Sequence, residues 1–161
     1  MKRNIKSKFM SVILVSGLAL GIAACGKSNA DDKSTGFVSQ KEIQEEFVQT
    51  TKSLNWPEGY KVPEEIDYKE GDVDYQKGFG DTRASMYWEA AWEKEWLDTY
   101  KTDPKRAQKA LEELEKAKDM TYMSEAKCDD ATREAFAKYL DQAKNGDPSG
   151  FEENLKLNAP E

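Results

Sequence analysis

Histidine is absent from this 161-residue chain, and cysteine occurs only twice. Without an imidazole, a Ser-His-Asp triad, a Cys-His dyad and a histidine-ligated zinc site are all excluded. Basic residues are also in the minority, with 24 Lys and Arg against 31 Asp and Glu. Proteins that bind nucleic acids through their phosphates need the opposite balance, so we predict no nucleic-acid partner.

A long apolar run is present only near the N-terminus. Residues 2–8 contain four basic residues and no acid, and residues 9–24 are 16 consecutive apolar or small residues. A helix that crosses a bilayer needs about 20 apolar residues, so this run is short for an anchor. Its length and its basic flank are typical of a secretory signal. We therefore predict a cleaved signal peptide over residues 1–24.

The predicted signal ends in the motif Ile22-Ala23-Ala24-Cys25, an aliphatic residue and two small residues before a cysteine. This motif resembles the lipobox of bacterial lipoproteins, and the resemblance covers residues 1–26. It implies that Cys25 carries a diacylglyceryl group and becomes the first residue after cleavage. Two acyl chains attach a protein stably to a bilayer, whereas one chain holds it only marginally. The alternative is an uncleaved anchor helix with Cys25 as an incidental thiol.

Removal of the signal would make the chain more acidic. The signal carries four basic residues and no acid, which leaves 20 basic and 31 acidic residues and a net charge of −11. Anionic head groups attract polybasic segments, so we expect this acidic domain to be held away from the bilayer surface. Residues 25–36 lack large apolar residues, and we interpret them as the lipidated cysteine and a flexible tether. The expected location is the extracytoplasmic face of the cell membrane.

Residues 37–161 have the length of one domain, and their patterns predict a mainly α fold of four to five helices. The first helix is predicted over residues 40–54, because Ser39 and Glu42 match a capping box. The later helices are predicted from Asp81 or Thr82 to about residue 100, from Asp103-Pro104 to about 118, and from Asp129 or Asp130 to about 145. A last short turn at Asp147-Pro148 is expected to hold Phe151 and Leu155, followed by a frayed tail.

The segment between the first two helices, residues 55–80, is rich in Gly, Pro and aromatic residues. We expect it to be extended and packed on the helices. Apolar residues alternate with polar ones around Ile66 and Tyr75, so a short β-hairpin over residues 66–75 is an option. The spacing of Asp72 and Asp74 suggests a calcium loop, but Lys77 stands where that loop requires glycine. We predict no metal and no cofactor.

The second predicted helix carries apolar residues on two sides. One stripe comprises Ala84, Trp88, Trp92, Trp96 and Tyr100. The other, nearly opposite, comprises Met86, Ala90 and Leu97. An aromatic stripe in a small domain is usually needed for its core, and we favour a central helix. The alternative is a groove for a sugar chain or another flat ligand. Its candidate ligand face would comprise Trp88, Trp92, Trp96, Glu89 and Tyr100.

Carboxylates are the main groups left for catalysis in this chain. Glu89 and Glu93 are one helical turn apart, but they share one strip of one helix. Glycoside hydrolysis needs two acids on opposite sides of the substrate, so we expect no enzyme. If Cys25 is lipidated, Cys128 is the one remaining free thiol, and we expect it to be inert and partly buried. The sequence thus favours a binding or interaction module with an envelope protein or glycan partner. The alternative is a small carboxylate-dependent cell-wall glycan hydrolase.

Overall fold

The computed structural model describes residues 36–67 and 75–160. The predicted signal peptide, Cys25 and nearly all of the predicted tether lie outside the described residues. The elements, in chain order, are β1 (Phe37–Val38), α1 (Gln40–Ser53), β2 (Tyr75–Gln76), α2 (Phe79–Thr99), α3 (Pro104–Leu114), α4 (Asp130–Lys144) and α5 (Ser149–Asn158). Two short 3₁₀ helices, Glu115–Asp119 and Thr121–Met123, connect α3 to α4. The predicted mainly α class with a central Trp-rich helix is confirmed.

In the part of the chain that the structure describes, no helix has both the length and the apolar character needed to cross a membrane.

Three helices begin where their local sequence signals predict. At α1, the Ser39 side chain accepts from the Glu42 amide at 3.3 Å, and the Glu42 carboxylate accepts from the Ser39 amide at 2.9 Å. Asp103 caps α3, which has proline at its first position, and Asp129 caps α4. Each cap satisfies amides that have no partner within the helix itself.

The start of α2 differs from the prediction. The helix begins at Phe79, after Gly78 in the left-handed conformation (φ 87°), and neither Asp81 nor Thr82 is its cap. The Glu46 carboxylate of α1 accepts from the Gly78 amide at 2.9 Å and from the Gly80 amide at 3.3 Å. A negatively charged carboxylate at the N-terminus of a helix also interacts favourably with the helix dipole. The cap comes from another helix, so no local pattern predicts it.

The C-terminal helix is also longer than predicted. Residues 149–158 form a full helix instead of one short turn with a frayed tail. Phe151 is completely buried, and Gly150 lies so close to α4 that a Cβ atom there would be 2.6 Å from Tyr139. Docking against α4 and α2 therefore stabilises α5 more than its own weak pattern does.

The predicted third helix also differs in form from the prediction. Helix α3 ends at Leu114, and the chain continues as a 3₁₀ helix to Asp119.

The described strands form a sheet other than the predicted hairpin. Phe37 pairs with Gln76 and Val38 with Tyr75 in an antiparallel ladder. Residues 68–74, which contain the loop of the predicted hairpin, lie outside the described residues. Ile66 is buried and in no strand.

Helix α2 lies at the centre of the domain and contributes to two apolar clusters. Near its N-terminus, Ala84 packs with Ile43 and Phe47 of α1 and with Ile66. Further along, the tryptophans of α2 pack against α3, the 3₁₀ helices, α4 and α5. The largest buried side chains of the domain thus belong mostly to α2 and its direct neighbours.

Gly80 gives a direct test of the contact between α1 and α2. A Cβ atom at this position would lie 2.1 Å from the Ile43 carbonyl oxygen and 2.8 Å from the Phe47 nitrogen. Gly80 is the second residue of α2, and within helices alanine is normally more stable than glycine, by up to about 1 kcal/mol. Here we expect Gly80→Ala to lower the free energy of unfolding, by about 2 kcal/mol or more, because two backbones must separate. Urea unfolding measures this change, and a neutral or stabilising substitution would contradict the packing.

Candidate functional site

The tryptophan stripe of α2 is core. Trp88, Trp92 and Trp96 are only 1%, 1% and 2% exposed. The Trp92 indole donates to the Asn55 carbonyl at 3.0 Å, which fixes the extended segment against the helix. Trp96 stacks on the half-buried Tyr100, with the ring centroids 4.5 Å apart. It contacts Phe151 edge to face, with the centroids 5.4 Å apart. These rings contact other side chains, so they do not form the open groove that the sequence left as an alternative.

Glu89, the remaining member of the candidate face, belongs to a buried polar cluster. Its carboxylate accepts from the Tyr122 hydroxyl at 2.5 Å and from the Asn154 side-chain amide at 2.9 Å. The same Asn154 nitrogen donates to Glu93 at 2.8 Å, so it bridges the two carboxyl groups. Glu93 is fully buried, and its second oxygen has no hydrogen-bond partner among the described residues. The cluster connects α2 to α5 and to the second 3₁₀ helix.

Burial controls the protonation of this cluster. Loss of water and the nearby Glu89 carboxylate raise the pKa of Glu93 to about 9, although the Asn154 amide opposes the change. Burial also raises the pKa of Glu89, against the hydrogen bonds from Tyr122 and Asn154. Burial and the facing Glu89 carboxylate raise the pKa of the Tyr122 hydroxyl, which therefore stays a donor. At neutral pH, Glu93 is a neutral acid inside the protein.

The geometry of the pair restricts access to it. The cavity beside the two carboxyl groups measures about 20 Å³, room for about one water molecule. Glu89 and Glu93 lie on one strip of α2, and α5 covers them through Asn154. A glycan would reach Glu93 only after α5 had moved away.

Replacement of Glu93 by glutamine tests its protonation state. The folded-state pKa lies above the ordinary value of 4.5, so the stability that the bound proton contributes is lost as the pH rises from about 4.5 through about 9. At pH 7, Glu93 is protonated in the folded wild-type protein and ionised in the unfolded chain. This ionisation favours unfolding, and glutamine cannot ionise. Glu93→Gln should therefore raise the free energy of unfolding by about 3 kcal/mol at pH 7 and by about 1 kcal/mol at pH 5.

Urea unfolding at both pH values, followed by circular dichroism, measures the difference. Asp98→Asn is the matched control, because Asp98 is an exposed acid on the same helix. It should change stability little at either pH. A change in stability for Glu93→Gln that is equal at the two pH values would contradict the raised pKa of Glu93.

A separate pocket lies between α4 and the first 3₁₀ helix, and we call it the α4 pocket. Its volume is about 310 Å³. Its lining consists of Glu115, Lys118, Met123, Arg133, Phe136, Ala137, Leu140 and Lys144. Phe136 and Met123 are buried at its floor, whereas Lys118 and Lys144 are exposed at its rim. The pocket thus combines an apolar interior with a mainly basic edge.

The charged residues of the α4 pocket are arranged in pairs. Lys144, in the last turn of α4, contacts Glu115 at 2.5 Å, and this hydrogen bond and the lysine charge lower the pKa of Glu115. Arg133 donates to the Cys128 carbonyl and to Asp130. The charge of Lys118 also lowers the pKa of Glu115, so two lysines of the rim act on one carboxylate.

Cys128 lies beside this pocket and is half-buried. Its sulfur is 3.8 Å from the Met123 sulfur. Burial raises the pKa of the thiol, although the nearby Arg133 charge opposes this effect. The thiol is therefore protonated at neutral pH and a weak nucleophile. In the described ranges, no three carboxylate or cysteine side chains converge as metal ligands.

Sequence reasoning did not find the α4 pocket or the role of Asn154. Phe136 and Leu140 follow the apolar pattern of a helix that packs on a core, and the pattern does not show which side chains line a pocket. Asn154 stands in a segment that was predicted to form only a short turn, and it lies in a full helix. For Glu93, a signal was present, because an acid on a helix with two apolar sides has few ways to reach water.

Comparisons with protein-family models, with curated proteins and with solved structures find no match to this chain. The fold and the site therefore define the protein only as a small, mainly α domain with a buried carboxyl cluster and a separate α4 pocket.

Proposed function

We propose that this protein is a membrane-anchored extracytoplasmic lipoprotein that acts as a binding module at the cell envelope. The basic leader, the short apolar run and the lipobox-like motif at Cys25 support the location. The observation that carries the binding role is the α4 pocket. The tryptophan stripe no longer supports it, since those rings are in the core.

The size and lining of the α4 pocket support ligand binding. Small-molecule sites usually measure about 300–1,000 Å³ and combine apolar walls with a few polar groups. The α4 pocket, at about 310 Å³, is at the lower end of this range. Its apolar residues come from α4 and from Met123, and its lining also contains Glu115 and three basic residues. A binding module with a small ligand or a short partner segment fits this arrangement.

The chemistry of the α4 pocket supports binding without turnover. Its one acid, Glu115, is held ionised by Lys144, so it is a poor proton donor at neutral pH. The lining contains no hydroxyl or thiol nucleophile. The buried pair Glu89 and Glu93 lies elsewhere and is covered by α5.

Lipidation at Cys25 is the measurable part of this proposal. Cells that express the full chain are fed an alkyne-labelled fatty acid, and the protein is isolated and weighed by mass spectrometry. Wild type should carry the label and lack residues 1–24, because the lipobox-like motif implies acylation of Cys25 and cleavage just before it. Cys25→Ala should carry no label and keep its leader.

Cys128→Ala is the matched control, because it removes the other cysteine of the chain. It should be labelled and processed like wild type. Label that persists in Cys25→Ala, or a wild-type protein with an intact leader and no lipid, would contradict the proposed attachment.

A further inference from the structure

We infer that the α4 pocket binds a single-chain amphiphile with a carboxylate head, such as a fatty-acid anion. This inference rests on the proposed binding function and names the ligand class. The apolar chain would occupy the floor beside Phe136 and Leu140, and the head would lie at the rim beside Lys118 and Lys144.

The floor of the α4 pocket suits a flexible hydrocarbon. Phe136 and Leu140 come from successive turns of α4, and Ala137 between them leaves space for a ligand. Met123 closes the floor from the second 3₁₀ helix. Methionine is unbranched and adapts its shape, so this wall can adjust to a chain.

The rim supplies the charge that selects the head group. Three cationic side chains, Lys118, Arg133 and Lys144, line the pocket together with one acid, Glu115. Asp130 partly compensates the charge of Arg133, and the Arg133 guanidinium already donates to groups within the protein. The rim is nevertheless positive, in contrast to a chain with seven more acids than bases. An anionic head fits this local charge, and a cationic head would be repelled.

The pair of Lys144 and Glu115 provides a place where a ligand carboxylate can bind. Their side chains are 43% and 49% exposed. Exposed ion pairs of this kind contribute little to stability, so little free energy opposes their separation. A ligand carboxylate could take the place of Glu115 on Lys144 and also contact Lys118. The exchange of one carboxylate for another keeps Lys144 paired, and the released Glu115 side chain, 49% exposed, is solvated by water.

The volume of the pocket limits the ligand to one chain. At about 310 Å³, the pocket is near the lower limit of small-molecule sites, which extend to about 1,000 Å³. A diacyl lipid would leave one of its chains in water. A free fatty-acid anion is therefore the occupant that satisfies both the volume and the charge.

Photo-crosslinking on the full-length protein in its native membranes tests this inference. The probe is a dodecanoate analogue with a diazirine on its chain, and mass spectrometry maps the labelled peptides after irradiation. Label should concentrate on peptides that contain Met123, Phe136 or Leu140. Excess dodecanoate should reduce this label about ten-fold, and excess dodecyltrimethylammonium less than about two-fold, because of the basic rim.

Charge variants separate specific binding from partition into membranes. Lys118→Gln combined with Lys144→Gln should lower the label in the α4 pocket about five-fold, since both head-group contacts are lost. Lys138→Gln is the matched control, because Lys138 is exposed on α4 outside the pocket lining. It should be labelled like wild type. Circular dichroism checks that all three proteins keep their helices.

Absence of label from the α4 pocket would overturn the inference, and so would equal competition by dodecanoate and dodecyltrimethylammonium. Label that is unchanged in the double variant would overturn it as well. The mass of the same samples reports lipidation at Cys25 independently. Intact lipidation without pocket label would reject this ligand and leave the membrane attachment standing, whereas missing lipidation would reject the attachment itself.

Discussion

The need to bury α2 on nearly all of its sides governs this structure. Ala84 and the three tryptophans are buried along most of the helix, and one neighbouring helix cannot cover them all. Helix α1 covers the N-terminal part, where Gly80 allows two backbones to approach closely. Helices α3 and α5 cover the remainder, with Phe151 against Trp96. The other elements can be understood as the surroundings that this one helix requires.

The same constraint explains the buried carboxyl cluster. A helix that is covered on nearly all sides brings some of its acids into the interior, and an ionised pair there would be strongly unfavourable. The protein holds Glu89 with Tyr122 and Asn154 and keeps Glu93 neutral. The cluster thereby fixes α5 on α2. A pair of acids that resembles catalytic machinery in the sequence is a structural connection in the folded chain.

Sequence signals predicted the elements that depend on local contacts and missed those that depend on distant ones. The caps at Ser39, Asp103 and Asp129 lie within one turn of the amides they satisfy, so the starts of α1, α3 and α4 were predicted correctly. The start of α2 depends on Glu46, more than 30 residues away, and α5 depends on docking against α4. The α4 pocket was not predicted either, because it arises where the 3₁₀ helices meet α4. The tryptophan stripe was predicted with its favoured role as core.

Amide hydrogen exchange under native conditions tests the central position of α2 most directly. If the other helices depend on α2, its amides over residues 84–96 should exchange only through global unfolding and be the most protected of the domain. The outer helices should exchange by local opening at lower free energy, α5 most readily at its C-terminal end. Faster exchange in α2 than in α3 or α4 would contradict the account, because a helix that opens before its neighbours cannot be the one on which they depend.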